Sequence, residues 1–287
     1  MLKLAFSSVA THDWPLDRVL DYAAQIDVDA VELRTFGCDS TRFACDPALT
    51  GEAKIHRMAG GHGIAICCIA TGLAFDQRIH PPVIGRVIGD WDQPLRDAKR
   101  AISLAAQVDC PFVRVFAFQV QEQERRDKAL ERIVGRLKQV VDAARNTGVR
   151  VVLENGGSFQ TAVDLAEIMD LVDSPLIGAS YSVPVAHMAG EDPTLGVNVL
   201  GERLWIGKVK DLDGAGRPCR PGDGVVPCEA FVTTLARSGN DAWCVFEWDR
   251  AWIDGLADPE NVLPESMERL MAWSNVRRSR MNRAGVS

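Results

Sequence analysis

Long hydrophobic runs are what this 287-residue chain most plainly lacks: no apolar stretch approaches the ~20 residues that a membrane-spanning helix requires. No membrane partner is therefore expected. Surplus positive charge is missing as well, since 32 Lys and Arg stand against 39 Asp and Glu, for a net charge of −7. Without a basic face, a nucleic-acid backbone is a poor main partner and a small molecule a better one. The eight cysteines never fall in a CxxC spacing, and no basic-plus-apolar leader precedes the first strand-like run, KLAFSSVA. A reducing cytoplasm is the expected compartment. Cys67, Cys68 and Cys244 lie inside apolar runs and read as small core residues. Histidine is sparse, and His56, His62 and His80 show no ligand spacing. No glycine-rich phosphate turn follows the first strand, where SSVATHDWP stands, which argues against a doubly wound nucleotide-binding sheet.

What the chain does have is alternation. With 47% hydrophobic and 25% charged residues it is an ordinary globular sequence, and short apolar runs alternate with helical-period segments eight times. The strand candidates are residues 2–8, 29–34, 64–70, 112–118, 149–155, 176–182, 204–210 and 243–248. Residues 16–26, 95–107, 122–146 and 161–172 carry apolar positions at three- and four-residue spacing opposite charged faces, as amphipathic helices do. Helix stops precede several strands: Asn146 to Gly148, Asp173 to Pro175, and Ser238 to Asn240. Eight such units imply an α/β protein, a single (β/α)₈ barrel over residues 1–276. A basic tail, 277–287, is expected to be frayed beyond it. Two Gly- and Pro-rich stretches, 71–90 and 214–227, follow strand ends and are too long for simple connectors, as substrate-covering loops are.

In a barrel, strand side chains alternate between the lumen and the helix layer. Glu32 and Arg34 therefore share a face, as do Arg114 and Phe116. A charge inside such apolar runs needs an opposite partner, and Glu32 is the expected partner of Arg114. Arg34 or Glu32, nearer the strand end, could instead meet substrate. Glu154 in VVLENGG and Glu247 in CVFEWDR each close an apolar run, and WIGKVKD between them closes on Lys208 and Lys210. Carboxylates and ammonium groups at the carboxyl ends of parallel barrel strands read as chemistry rather than packing.

In this order and spacing, DAVELR, AISLAAQVDCPFVRVFAF, VRVVLENGG, WIGKVKD and PGDGVVP followed by CVFEWD resemble the xylose isomerase-like TIM barrels. That superfamily includes sugar-phosphate isomerases, ketose 3-epimerases, dehydroshikimate and inosose dehydratases, and the endonuclease IV type. The last is a poor match for an acidic chain with few histidines. The resemblance implies a divalent cation held by Glu, Asp, His and Glu at the ends of the fifth to eighth strands. Those positions fall on Glu154, Ser182, Lys208 and Glu247, so two of the four ligands are replaced. Two carboxylates bind Mn²⁺ or Mg²⁺ weakly, and an ammonium group between them repels a cation. No cofactor is expected, beyond a weak or vestigial Mn or Mg ion. Lys208 would stand in for it: three carboxylates with one divalent ion, and two carboxylates with one ammonium, both sum to −1. The alternative for Lys208 is a structural pair locking Glu154 and Glu247.

The same resemblance makes Lys210 a ligand of substrate oxygens, against a strand-end salt bridge to Asp211 or Glu247. Trp248, beside Glu247, is preferred to Phe116 as an apolar wall for a sugar ring, although either could be core. His187, five residues after Ser182, is read as a binder of substrate hydroxyls, a solvated loop residue or a replacement metal ligand. His12 is either substrate-facing or a helix-entry residue. The expected activity is isomerisation or epimerisation of a sugar or sugar acid by proton transfer next to a carbonyl, with Glu154, Glu247 and Lys208 as its core. Dehydration is the second choice. A metal-dependent epimerase or dehydratase with a rearranged site, and a non-catalytic sugar-binding homologue, are the alternatives. The partner is a small polyhydroxylated substrate, and the resemblance allows a homodimer or homotetramer.

Overall fold

The computed structural model describes residues 2–37, 42–77 and 93–274. The 277–287 tail, Cys38, His80 and most of the 71–90 stretch lie outside them. Eight parallel strands close a barrel: β1 (Lys3–Ser7), β2 (Ala30–Arg34), β3 (Ala65–Ala74), β4 (Phe112–Phe116), β5 (Arg150–Glu154), β6 (Ile177–Ser182), β7 (Leu204–Val209) and β10 (Trp243–Phe246). A two-stranded hairpin, β8 (Asp211–Leu212) with β9 (Pro218–Cys219), stands on the loop after β7. Around the barrel run α1 (Leu16–Gln25), α2 (Glu52–His62), α3 (Gln93–Gln107), α4 (Arg126–Ala143), α5 (Ala162–Val172), α6 (Val183–Met188), α7 (Pro193–Leu200), α8 (Cys228–Ser238) and α9 (Pro259–Trp273).

The expected helix stops work through backbone geometry. Asn146, Asp173 and Gly239 all take positive φ, and the last two are the C-caps of α5 and α8. Short polar side chains and glycine tolerate that left-handed conformation best. At its other end α5 carries a capping box, in which Thr161 accepts from the Asp164 N–H and Asp164 accepts from the Thr161 N–H.

Strand alternation separates two apolar cores. The larger lies between strands and helices; the smaller fills the lumen, with Phe112, Val152, Ile206, Trp243 and Val245 among its members. At the amino end of the strands Phe112 and Trp205 stack at 5.5 Å, and the Arg150 guanidinium covers both rings. That plug closes the floor and leaves the carboxyl end as the mouth.

Candidate active site

Each charged residue of the mouth follows a lumen hydrophobe at a spacing of two or four, which is why it points inward. Val152 is followed by Glu154, Ile206 by Lys208 and Lys210, Ala30 by Glu32 and Arg34, Phe112 by Arg114, and Val245 by Glu247 and Asp249. Four carboxylates and four cations therefore share the upper lumen, and their formal charges cancel.

They pair in two sets. Lys208 Nζ lies 2.5 Å from Glu32 Oε1 and 2.7 Å from Glu247 Oε2; Lys210 Nζ lies 2.7 Å from Asp249 Oδ2 and 3.4 Å from Glu247 Oε1. On the other wall, Arg114 donates to Glu154 at 3.2 Å and to the Thr71 carbonyl oxygen at 2.9 Å, and Ser180 Oγ donates to Glu154 at 3.0 Å. The expected Glu32–Arg114 pair is thus not formed. β3 separates their strands, whereas Glu154 sits on the strand next to Arg114 and Lys208 reaches Glu32 across the lumen. Nor does Lys208 bridge Glu154 and Glu247, because Arg114 already serves Glu154.

The field of this cluster fixes protonation. Burial alone would depress Lys208, but the Glu247, Glu32 and Glu154 carboxylates overcome it and hold the ammonium above the ordinary lysine value. Burial would likewise raise Glu247, yet Lys208, Lys210 and Arg114 bring it well below the usual carboxylate range. Asp249 goes the other way: burial raises it, Lys210 opposes and Glu247 adds to the rise. A lysine held charged is not a Schiff-base nucleophile. With 3% of its side chain exposed against 20% for Lys210, Lys208 lies beneath Glu247 and Lys210 lies at the surface of the mouth. Of the two lysines, Lys210 is therefore the more accessible from the mouth. Lys210 bonds Asp249 and Glu247, not Asp211, whose side chain points away into the loop after β7.

Other expected residues sort by the same alternation. Trp248 is in step with Cys244 and Phe246, which face the helix layer, so its ring packs in the outer core, 4% exposed, with Nε1 donating to the Ala257 carbonyl oxygen. It is a loop anchor and not a sugar wall. The aromatic surfaces of the mouth come instead from Phe116 and Phe118, 6.0 Å apart, and from Phe36 stacked on Phe43 at 3.9 Å beside the half-exposed Trp252. Ser182 is buried at the end of β6, its backbone held on both sides by the Asn155 amide. His12 meets Phe43 edge-on at 5.9 Å and is lowered by burial, so it stays neutral at pH 7. His187 is half-buried on α6. Asp249, Ser180 and Phe118 escaped the sequence reading; the first two are signalled by their even spacing from Glu247 and Ser182.

The model of the xylose isomerase-like TIM barrel matches residues 20–273. The chain belongs to that family. Among solved structures it is similar to the IolI protein with a bound zinc atom (TM-score 0.78, 15% identity, 97% of this chain and 100% of that one). It is also similar to 3-keto-D-glucoside 4-epimerase from E. coli (0.75, 14%, 95% and 100%). A third is the probable 3-DHS dehydratase AsbF from Bacillus anthracis (0.75, 14%, 94% and 99%). At such identities the likeness is one of fold. No curated protein matches.

In this xylose isomerase-like barrel, Glu154, Ser182, Lys208 and Glu247 do close one end of the lumen together, and Ser182 pairs in register with Lys208. As a donor set they do not fit a divalent cation. An ion between the glutamates would meet the charged Lys208 and Arg114, and both carboxylates are already bonded. His187 does not complete a ligand group: no three His, Cys, Asp or Glu side chains converge at metal spacing among the described residues.

Proposed function

We propose that this barrel isomerises or epimerises a small polyhydroxylated carbonyl compound by proton transfer at the carbon next to the carbonyl, without an essential metal. One observation carries the reading: Lys208, at the position that the resemblance gives to the seventh-strand ligand, pairs with Glu32 and Glu247, which keeps Glu247 ionised and leaves Lys210 and Glu154 facing the mouth. Glu154, hydrogen-bonded by Ser180 and Arg114, takes the carbon-bound proton. The electron pair left behind moves onto the carbonyl oxygen, where the Lys210 ammonium stabilises the enolate. Asp249, raised and bonded to Lys210, exchanges a proton with that oxygen. Return of the proton by Glu154 to the neighbouring carbon, with the neighbouring hydroxyl giving its proton back to Asp249, yields the isomer, and delivery of a solvent proton to the same carbon on its other face yields the epimer.

The test is deuterium incorporation from D₂O into a panel of ketoses, aldoses and sugar acids, followed by NMR with chelator-treated protein. Exchange is expected without added metal, and Glu154→Gln is expected to slow it by roughly 10²- to 10⁴-fold. Equal exchange in wild type and Glu154→Gln would sink the proposal. An absolute need for Mn²⁺ would favour a metal-dependent epimerase or dehydratase with a rearranged site. Binding without exchange would favour a non-catalytic sugar-binding homologue, a second reading motivated by Glu247, whose depressed pKa makes it a weak base.

A further inference from the structure

Three of the four mouth cations have a carboxylate in ion-pair contact: Arg114 with Glu154, Lys208 with Glu32 and Glu247, Lys210 with Asp249. Arg34 does not. At the end of β2 its Nη1 donates to the carbonyl oxygens of Thr35 (2.7 Å) and Ala70 (2.9 Å), which fixes the guanidinium plane. Among the described residues its Nε and Nη2 edge has no hydrogen-bond partner and no carboxylate in ion-pair range. The fold makes room for it: a Cβ at Gly72 would stand 2.9 Å from Nη2, and the Trp252 ring covers the group at 5.7 Å. Arg34 lines a cavity of about 700 Å³ shared with Thr35, Phe36, Thr71, Gly72 and Leu73. Burial and the neighbouring Arg114 charge lower the guanidinium to about 10, against the weaker opposing pull of Glu247, Glu32 and Glu154.

We infer that Arg34 receives a carboxylate of the substrate, so that the ligand is a sugar acid and not a neutral sugar. The inference rests on reading the mouth as the seat of a polyhydroxylated carbonyl compound. A planar fork with one free edge matches a carboxylate bidentately. A phosphate dianion fits less well, because Asp46, Glu52 and Asp97 also line the cavity, and its other cation, Arg100, is already paired with Asp97 at 3.1 Å. Arg34 follows the same inward alternation as Lys210 and Glu154 on the strands of the one barrel.

Isothermal titration calorimetry on the full chain tests this with D-glucuronate, D-galacturonate and D-gluconate against D-glucose, D-galactose and D-glucose 6-phosphate. At least one acid is expected to bind roughly tenfold to hundredfold tighter than its neutral parent and than the phosphate. Arg34→Gln should erase that preference while leaving the weak binding of the neutral sugar. Gly72→Ala, which keeps the arginine but displaces it, should reduce the preference in the same direction and covers the case of a poorly folding Arg34→Gln. Binding of none of the acids, equal binding of acid and neutral sugar, tighter binding of the phosphate, or a preference that survives both substitutions would each overturn the assignment. The catalytic proposal fails separately: Glu154→Gln should slow deuterium exchange and keep the carboxylate preference, so either result can stand without the other.

Discussion

Removing the Lys208 ammonium would leave Glu32 and Glu247 buried in the lumen without their shared counter-charge. Breaking such a pair from one side costs about 3–5 kcal/mol, because the remaining charge keeps its desolvation penalty. Lys208→Met is therefore expected to lower the urea midpoint strongly. Glu32→Leu in the same chain should recover much of the loss, since Glu247 retains Lys210; additive losses in the double variant would refute the pairing. The pH dependence has a sign on each side. Glu247, depressed below its ordinary 4.5, contributes stability that is complete above that value and lost as pH falls through its folded pKa. Lys208, raised above 10.5, contributes stability complete below that value and lost as pH rises through its folded pKa. The part of the stability that Glu247 and Lys208 contribute should be flat between about 4.5 and 10.5, and Glu247→Gln should flatten the acid limb of denaturation midpoint against pH. At this scale the sequence was legible wherever alternation was followed. It placed Glu154, Glu247, Lys208 and Lys210 at one end, and the same count from Val245 would have sent Trp248 outward and Asp249 inward. It named Glu32 as the partner of Arg114, and Glu154 on the adjacent strand takes that place, because the stagger of the two strands brings its carboxylate within reach.

The loop after β7 shows what an element adds. Its length suggested a substrate cover, but the structure pins it from below: Asp211, fully buried, accepts the N–H groups of Leu212, Gly222, Gly224 and Val226 at 2.7 to 3.0 Å. Gly224 is required there, since a Cβ would run into Leu212 O and Asp211. Asp211→Asn, which replaces one of two acceptor oxygens by a donor, should cost about 2–3 kcal/mol and expose the 213–227 segment to hydrogen exchange. Unchanged protection of Gly222, Gly224 and Val226 would show that the carboxylate does not hold the loop. All eight barrel strands were readable from apolar runs to within a few residues. Among the helices, α1, α3, α4 and α5 were read from their apolar spacing. α2, with two glycines near its end, and the short α6 and α7, each opening on or next to a proline, carry too weak a period to stand out.

For the whole molecule, the (β/α)₈ class follows from repetition, and the family match over residues 20–273 agrees with it. Substrate identity does not follow in the same way, since it depends on rim groups such as Arg34 and Trp252 that loops bring together. The sealed floor has a kinetic meaning. With Phe112, Trp205 and Trp243 filling the amino end under Arg150 and Lys3, the lumen is a cup and not a tunnel. Ligands of every kind enter and leave by one door, so a product still seated in the mouth bars the next substrate. Product inhibition should accordingly be competitive in steady-state kinetics, and a noncompetitive pattern would mean a second way in.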